Sequence, residues 1–152
     1  MIDYTLALAT ALDVDAVRDL ARRLSGATQD AESRLVLPGL TVTVRDVGHP
    51  VSAQVLGEQL GVPATARVWL GVENKLDEQT YASAREQMAV LAARLAVESD
   101  AEACLTFELE HALLRRHDGA LTLYDWFPEW SAPAVVAALP APWQLSSQDV
   151  RF

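Results

Sequence analysis

The segment HALLRRHDGALTLYD, residues 111–125, constrains this chain more than any other. Two apolar-rich runs flank Asp118-Gly119, a pair suited to a tight two-residue turn because both residues tolerate positive φ. That pattern predicts an antiparallel hairpin. Just upstream, Ala103, Leu105, Phe107 and Leu109 alternate with Cys104, Thr106, Glu108 and Glu110, the two-residue period of a strand with one buried face. If Phe107 points into the core, Glu108 and Glu110 point the other way and lie side by side as solvated carboxylates.

The same reasoning places further elements along the chain. Ile2, Tyr4, Leu6 and Leu8 alternate with smaller or polar residues and predict a strand. Asp13 then offers a helix N-cap, Val14, Val17, Leu20 and Leu24 share a helical face, and Ser25-Gly26 supplies a stop. SRLVL and LTVTVRDV flank Pro38-Gly39 and predict a second hairpin, whereas Gly48, Pro50, Gly57, Gly61 and Pro63 mark a loop with one short helix from Ser52. ARVWLGVE, residues 66–73, reads as a strand. From an Asp77 cap to about Val97, Tyr81, Ala84, Met88, Leu91 and Leu95 recur at spacings of three and four and predict the longest helix. That stripe is expected to pack on the chain's own sheet, with a homodimer seam as the alternative. The end of the chain sets Trp126, Phe127, Trp130 and Trp143 among four prolines, with a short helix in SAPAVVAAL. An aromatic lid over the core is the expected role there. The predicted architecture is therefore α+β: one domain over residues 1–152, a mainly antiparallel sheet against two principal helices, and an aromatic, Pro-rich C-terminal segment.

Composition narrows the function classes. Hydrophobic residues make up 51% and charged residues 22%, a balance that folds without a partner. Twenty-one acids face twelve bases, for a net charge of −9. Residues 77–152 alone hold twelve acids against five bases. A negative field of this kind repels nucleic-acid backbones and anionic membranes and speeds encounter with a basic partner. The N-terminus lacks a basic region and no apolar run reaches membrane-spanning length, so a cytoplasmic protein is expected. The single Cys104 sits in an apolar run and is expected to be a buried small hydrophobe in a reducing compartment.

No phosphate loop, nucleophile elbow, dinucleotide-binding turn or zinc-ligand spacing is present. His111 and His117 are expected to be structural or exposed, Lys75 a surface charge, and Arg115 and Arg116 ordinary cross-strand partners on opposite faces. No catalytic residue, cofactor or metal ligand is assigned.

The opening strand with its helix, the strand ARVWLGVENKLDEQ running into the long helix, and LTFELEHALLRRHDGALTLYDW together resemble the Sit-type immunity proteins of bacterial polymorphic toxin systems. The resemblance covers Met1 to about Trp130 and rests on Leu105, Phe107, Glu110, Leu114, Arg116, Gly119, Leu121 and Leu123. Where that pattern has a small, turn-forming pair between the aromatic and the Glu, this chain has Glu108-Leu109. The resemblance implies a non-catalytic protein that binds and neutralises a cognate toxin, and the acidic charge is compatible with a toxin that has a basic surface. Acidic candidates for that contact are Glu73, Asp77 and Glu78 at one strand-to-helix junction, Glu98, Asp100 and Glu102 at the far end of the long helix, and Glu108 with Glu110. Trp126 and Trp130 are candidate anchors. Two other classes stay open: a stand-alone small-ligand-binding or scaffold domain, marked by an apolar pocket beneath the aromatic tail, and a hydrolase in which Glu108 or Glu110 converges with His111 or His117.

Overall fold

Strand β1, Ile2–Ala9, lies near the middle of one sheet, because both of its faces are apolar: Leu6 and Leu8 are fully buried on one side and Ala7 on the other. The structure, a computed structural model, describes residues 1–152. Asp13 caps α1, Val14–Ser25, by accepting the Ala16 N–H at 2.8 Å, and Gly26 ends it at φ 69. The short β2, Thr28–Gln29, precedes the predicted hairpin of β3, Leu35–Leu37, and β4, Leu40–Arg45, with Gly39 at φ 74 in the turn.

Residues 48–64 contain the helix expected from Ser52, but it is longer and begins two residues earlier. They hold an eleven-residue helix α2, Pro50–Leu60, capped by His49, whose Nδ1 accepts the Val51 N–H, and closed by Gly61 at φ 74. Proline is tolerated at this first helical position because no N–H is required there, and the closing glycine supplies the left-handed residue that ends a helix. Pro50 and Gly61 are therefore the boundaries of the helix rather than parts of a surrounding loop.

Strand β5, Ala66–Val72, leads into α3, Glu78–Glu98, with Asp77 as its cap. Then follow β6, Glu102–Phe107, β7, His111–His117, and β8, Ala120–Tyr124. A 3-10 turn, Pro128–Ser131, and α4, Pro133–Ala138, precede β9, Trp143–Ser146. The nine strands form one sheet in the order β2-β3-β4-β5-β1-β6-β7-β8-β9, antiparallel throughout except for the final β8–β9 pair. The fold is α+β, as the alternation predicts.

Helices α1, α3 and α4 cover one face, over a core that includes Leu6, Leu70, Leu105 and Leu114. Ala84, Met88, Leu91 and Leu95 of α3 are buried there, so the apolar stripe is spent on the chain's own sheet. Helix α2 covers part of the opposite face, where Leu56 and Leu60 meet Ala7, Cys104, Ala112 and Tyr124. This second layer explains why β6 is buried on both sides, Cys104 and Thr106 on one and Ala103 and Leu105 on the other.

Candidate functional site

The hairpin between β6 and β7 corrects the expected position of Glu108 and Glu110. They do not share a strand face. The Glu110 N–H donates to the Phe107 carbonyl at 3.1 Å, closing a turn whose central residues Glu108 and Leu109 have φ 53 and 60. At the other end of β7, Asp118 and Gly119 meet the same geometric demand at φ 49 and 78. Glycine enters this region freely and Asp or Asn does so with modest strain, but a residue such as Leu loses about 1–2 kcal/mol there. The Glu-Leu turn is therefore strained relative to its Asp-Gly counterpart. It is tied down by Gln59 of α2, a fully buried side chain whose Nε2 donates to the Leu109 carbonyl at 3.0 Å. The result is a tip on which an exposed Leu109 stands between two exposed carboxylates.

Sheet register then joins groups that lie far apart in sequence. Tyr4 of β1 pairs with Leu70 on one side and with Phe107 on the other. The C-terminal ends of β5 and β6 thus sit at the same end of the sheet, two strand spacings or about 10 Å apart. From the end of β5 the chain runs through Glu73 to Asp77 and Glu78 at the start of α3. Five of the candidate acids therefore lie toward this end of the sheet. Glu108 and Glu110 lie beyond β6 and Glu73 beyond β5, with Asp77 and Glu78 farther along the rim where the start of α3 meets Gly39 of the β3–β4 turn. None of the five makes an ion pair: the Glu73 carboxylate accepts the Lys75 backbone N–H, and Asp77 accepts the N–H and hydroxyl of Thr80 at 2.9 and 2.8 Å. Those Thr80 hydrogen bonds hold the Asp77 carboxyl below the usual aspartate range.

The remaining acids behave differently. Glu98, Asp100 and Glu102 lie at the far end of α3, about 30 Å from its start at 1.5 Å per residue. Each is already engaged, Glu98 with Arg94 at 3.7 Å, Asp100 with Arg116 at 3.1 Å and Glu102 with His117 at 3.0 Å. Glu102, His117 and Asp118 bring three possible ligand atoms within 4.8 Å of one another. Both Glu102 oxygens are occupied, one by the Asp118 N–H and one by His117 Nδ1, so the trio acts as a clasp on the β7–β8 hairpin.

The aromatic residues also divide. Trp130 is fully buried, its indole N–H donating to the Leu113 carbonyl at 3.0 Å. It presents nothing to a partner, and the expectation that it anchors an interface is corrected by its place in the core. Trp126 is half-buried, donates to the Ala112 carbonyl at 2.6 Å and stacks on His111 with ring centres 3.8 Å apart. Around Trp130, Phe127 packs edge-on and receives the Arg85 guanidinium, which is paired with Glu129 at 2.9 Å. The tail is a lid pinned to α3.

The arrangement does not assemble the hydrolase constellation. His117 lies at the opposite end of β7 from Glu108 and Glu110, and His111 is sandwiched between Trp126 and Asp149. Burial pushes the Cys104 thiol up to about 12, which leaves it inert at neutral pH. A groove of about 410 Å³ does lie beneath α4, between Leu24, Leu37, Val90 and Val135, with Glu86 and Arg94 at its lining.

Residues 2–134 match the model of the SitI3-like family. The chain belongs to the SitI3-like family. Among curated proteins, it is 39% identical over 79 residues to the "Probable cation-transporting ATPase I" of Mycobacterium tuberculosis, in strain CDC 1551 / Oshkosh and in strain ATCC 25618 / H37Rv. That stretch is 51% of this chain and only 4% of either relative. No solved structure matches it. No helix is long and apolar enough to cross a membrane.

Proposed function

We propose that this protein is a non-catalytic immunity protein that binds a cognate protein toxin in the cytoplasm and neutralises it through the acidic rim at the β6–β7 turn. The observation that carries the reading is membership of the SitI3-like family over residues 2–134. Three features favour the rim as the contact. Its five carboxylates carry no ion pair, whereas the acids at the far end of α3 are already matched. Its tip keeps Glu and Leu where Asn-Gly would be less strained, and strain of this kind is retained where side chains serve another purpose. An apolar residue ringed by charge is also the pattern of a contact centre within a polar border.

A basic toxin surface meeting this rim gains encounter rate and orientation from the complementary field. Glu108, Leu109 and Glu110 form the centre of the contact. Glu73 and Glu78 flank it, and Asp77 acts chiefly as the helix cap. Trp126 lies behind the tip and supports it through His111. Expressing the neighbouring reading frame in a test bacterium, with and without this protein, and counting survivors tests the reading. Specific rescue supports immunity, and killing that this protein does not relieve contradicts it.

A further inference from the structure

On the sheet face covered in part by α2, a groove of about 610 Å³ opens beside the helix, over β1, β4 and β5. Volumes of this order hold small organic ligands. Register places Arg45 of β4 directly opposite Arg67 of β5, with Thr43 opposite Trp69 as the next pair along the same face. All four side chains line the groove. Like charges held directly across two strands repel, and this chain has 21 acids with which its bases can pair. Even so, Arg45 and Arg67 make neither an ion pair nor a side-chain hydrogen bond, while every other arginine does one or the other. Arg34 also lines the groove but is engaged by Asp30 and Glu32 at 2.8 and 3.4 Å.

The floor is an aromatic surface made possible by glycine. A β-carbon at Gly71 would lie 2.6 Å from the Trp69 ring, closer than any real contact. Because Gly71 has none, the outer edge of the indole rests over it, next to the Met1 sulfur, and Trp69 and the two arginines line the same groove. Two adjacent unpaired guanidinium groups suit a dianion better than a monoanion, and their planar forks match phosphate oxygens. A phosphate monoester carries about −1.5 to −2 at neutral pH.

We propose that this groove binds a phosphate monoester carrying a flat ring, such as a nucleotide, with Arg45 and Arg67 on the phosphate, Trp69 under the ring, and the Thr43 hydroxyl as a further hydrogen-bonding group. Leu109 of the β6–β7 tip also lines the groove, so the site borders the acidic rim, but its arginine and tryptophan contacts do not depend on the toxin reading.

Titration of the isotopically labelled protein with adenosine 5′-monophosphate, followed by NMR of the arginine Nε–H and indole N–H groups, tests it. The expected result is saturable shifts at Arg45, Arg67 and Trp69, with affinity at least about tenfold above that of inorganic phosphate or of adenosine alone. Arg45→Thr and Arg67→Thr are each expected to weaken binding by about tenfold or more. In the absence of ligand, each is expected to raise the melting temperature at low salt by removing the opposed charge. Failure of the nucleotide to saturate below about 10 mM, or undiminished binding by the double threonine variant, overturns the proposal.

Discussion

Two residues in one turn carry most of the functional argument. Glu108 and Leu109 occupy left-handed backbone that Asn-Gly would fill with less strain. Replacing Leu109 with Gly relieves about 1–2 kcal/mol of strain and returns roughly half of that through the freer unfolded chain. Leu109→Gly is therefore expected to stabilise the protein by up to about 1 kcal/mol, a rise of about 2–4 °C on thermal melting, while weakening toxin protection. A lower melting temperature would show that the leucine side chain is needed for the fold. Asp77 shows the opposite case, a rim acid with a structural duty. Its pKa is depressed in the folded state by the Thr80 hydrogen bonds, so its contribution is full above its ordinary value of 3.8 and is lost as pH falls below that value. Asp77→Asn is expected to melt a few degrees lower at neutral pH and to lose less further stability than the wild type below pH 3.8.

Between elements, the pair that matters most is Arg85 of α3 with Glu129 of the 3-10 turn, whose side chains are 25% and 13% exposed. Removing only the carboxylate leaves a partly buried guanidinium against Phe127 and Tyr81. Glu129→Ala is expected to destabilise by about 2–3 kcal/mol, discounted from a fully buried pair, and Arg85→Met with Glu129→Leu by clearly less. Urea unfolding of the two variants separates these outcomes. Elements fixed by local chemistry were legible in the sequence: the Asp13 and Asp77 caps, the Pro38-Gly39 and Asp118-Gly119 turns, and the helix-period stripe from Tyr81 to Leu95. Helix α2 was legible only in part, as a short helix from Ser52, because Pro50, Gly57 and Gly61 look like breakers unless proline at a helix start and glycine at its end are read together. Strand β9 joins the edge of the sheet by a parallel, non-local pairing that no turn residue announces. The Glu108-Leu109 turn lacks the small residues that mark such turns, so its carboxylates looked like members of a strand face. Trp130 illustrates a further ambiguity, since a tryptophan in a Pro-rich tail suits both a lid and an exposed anchor, and only packing decides between them.

At the scale of the molecule, sheet register creates the candidate site by bringing the end of β5 and the end of β6 to one rim, while the other acidic group is carried to the far end of α3 and engaged there by Arg94, Arg116 and His117. The pattern of the long helix separates the acids at its two ends, but it does not show which end Glu108 and Glu110 join, because that depends on the non-local pairing of β5 and β6 with β1. Glu108→Lys with Glu110→Lys is expected to change stability by under about half a kcal/mol in thermal melts, because both side chains are exposed and unpaired. The central claim is that this rim, and not the opposite end, meets the toxin. The most direct measurement is the Kd of the purified toxin for three forms of this protein at low and high salt: wild type, Glu108→Lys/Glu110→Lys, and Glu98→Lys/Asp100→Lys. The account predicts a loss of about a hundredfold or more for the rim variant, with a smaller loss at high salt, and near wild-type affinity for the far-end variant. Unchanged binding by the rim variant, or a larger loss from the far-end variant, would contradict it.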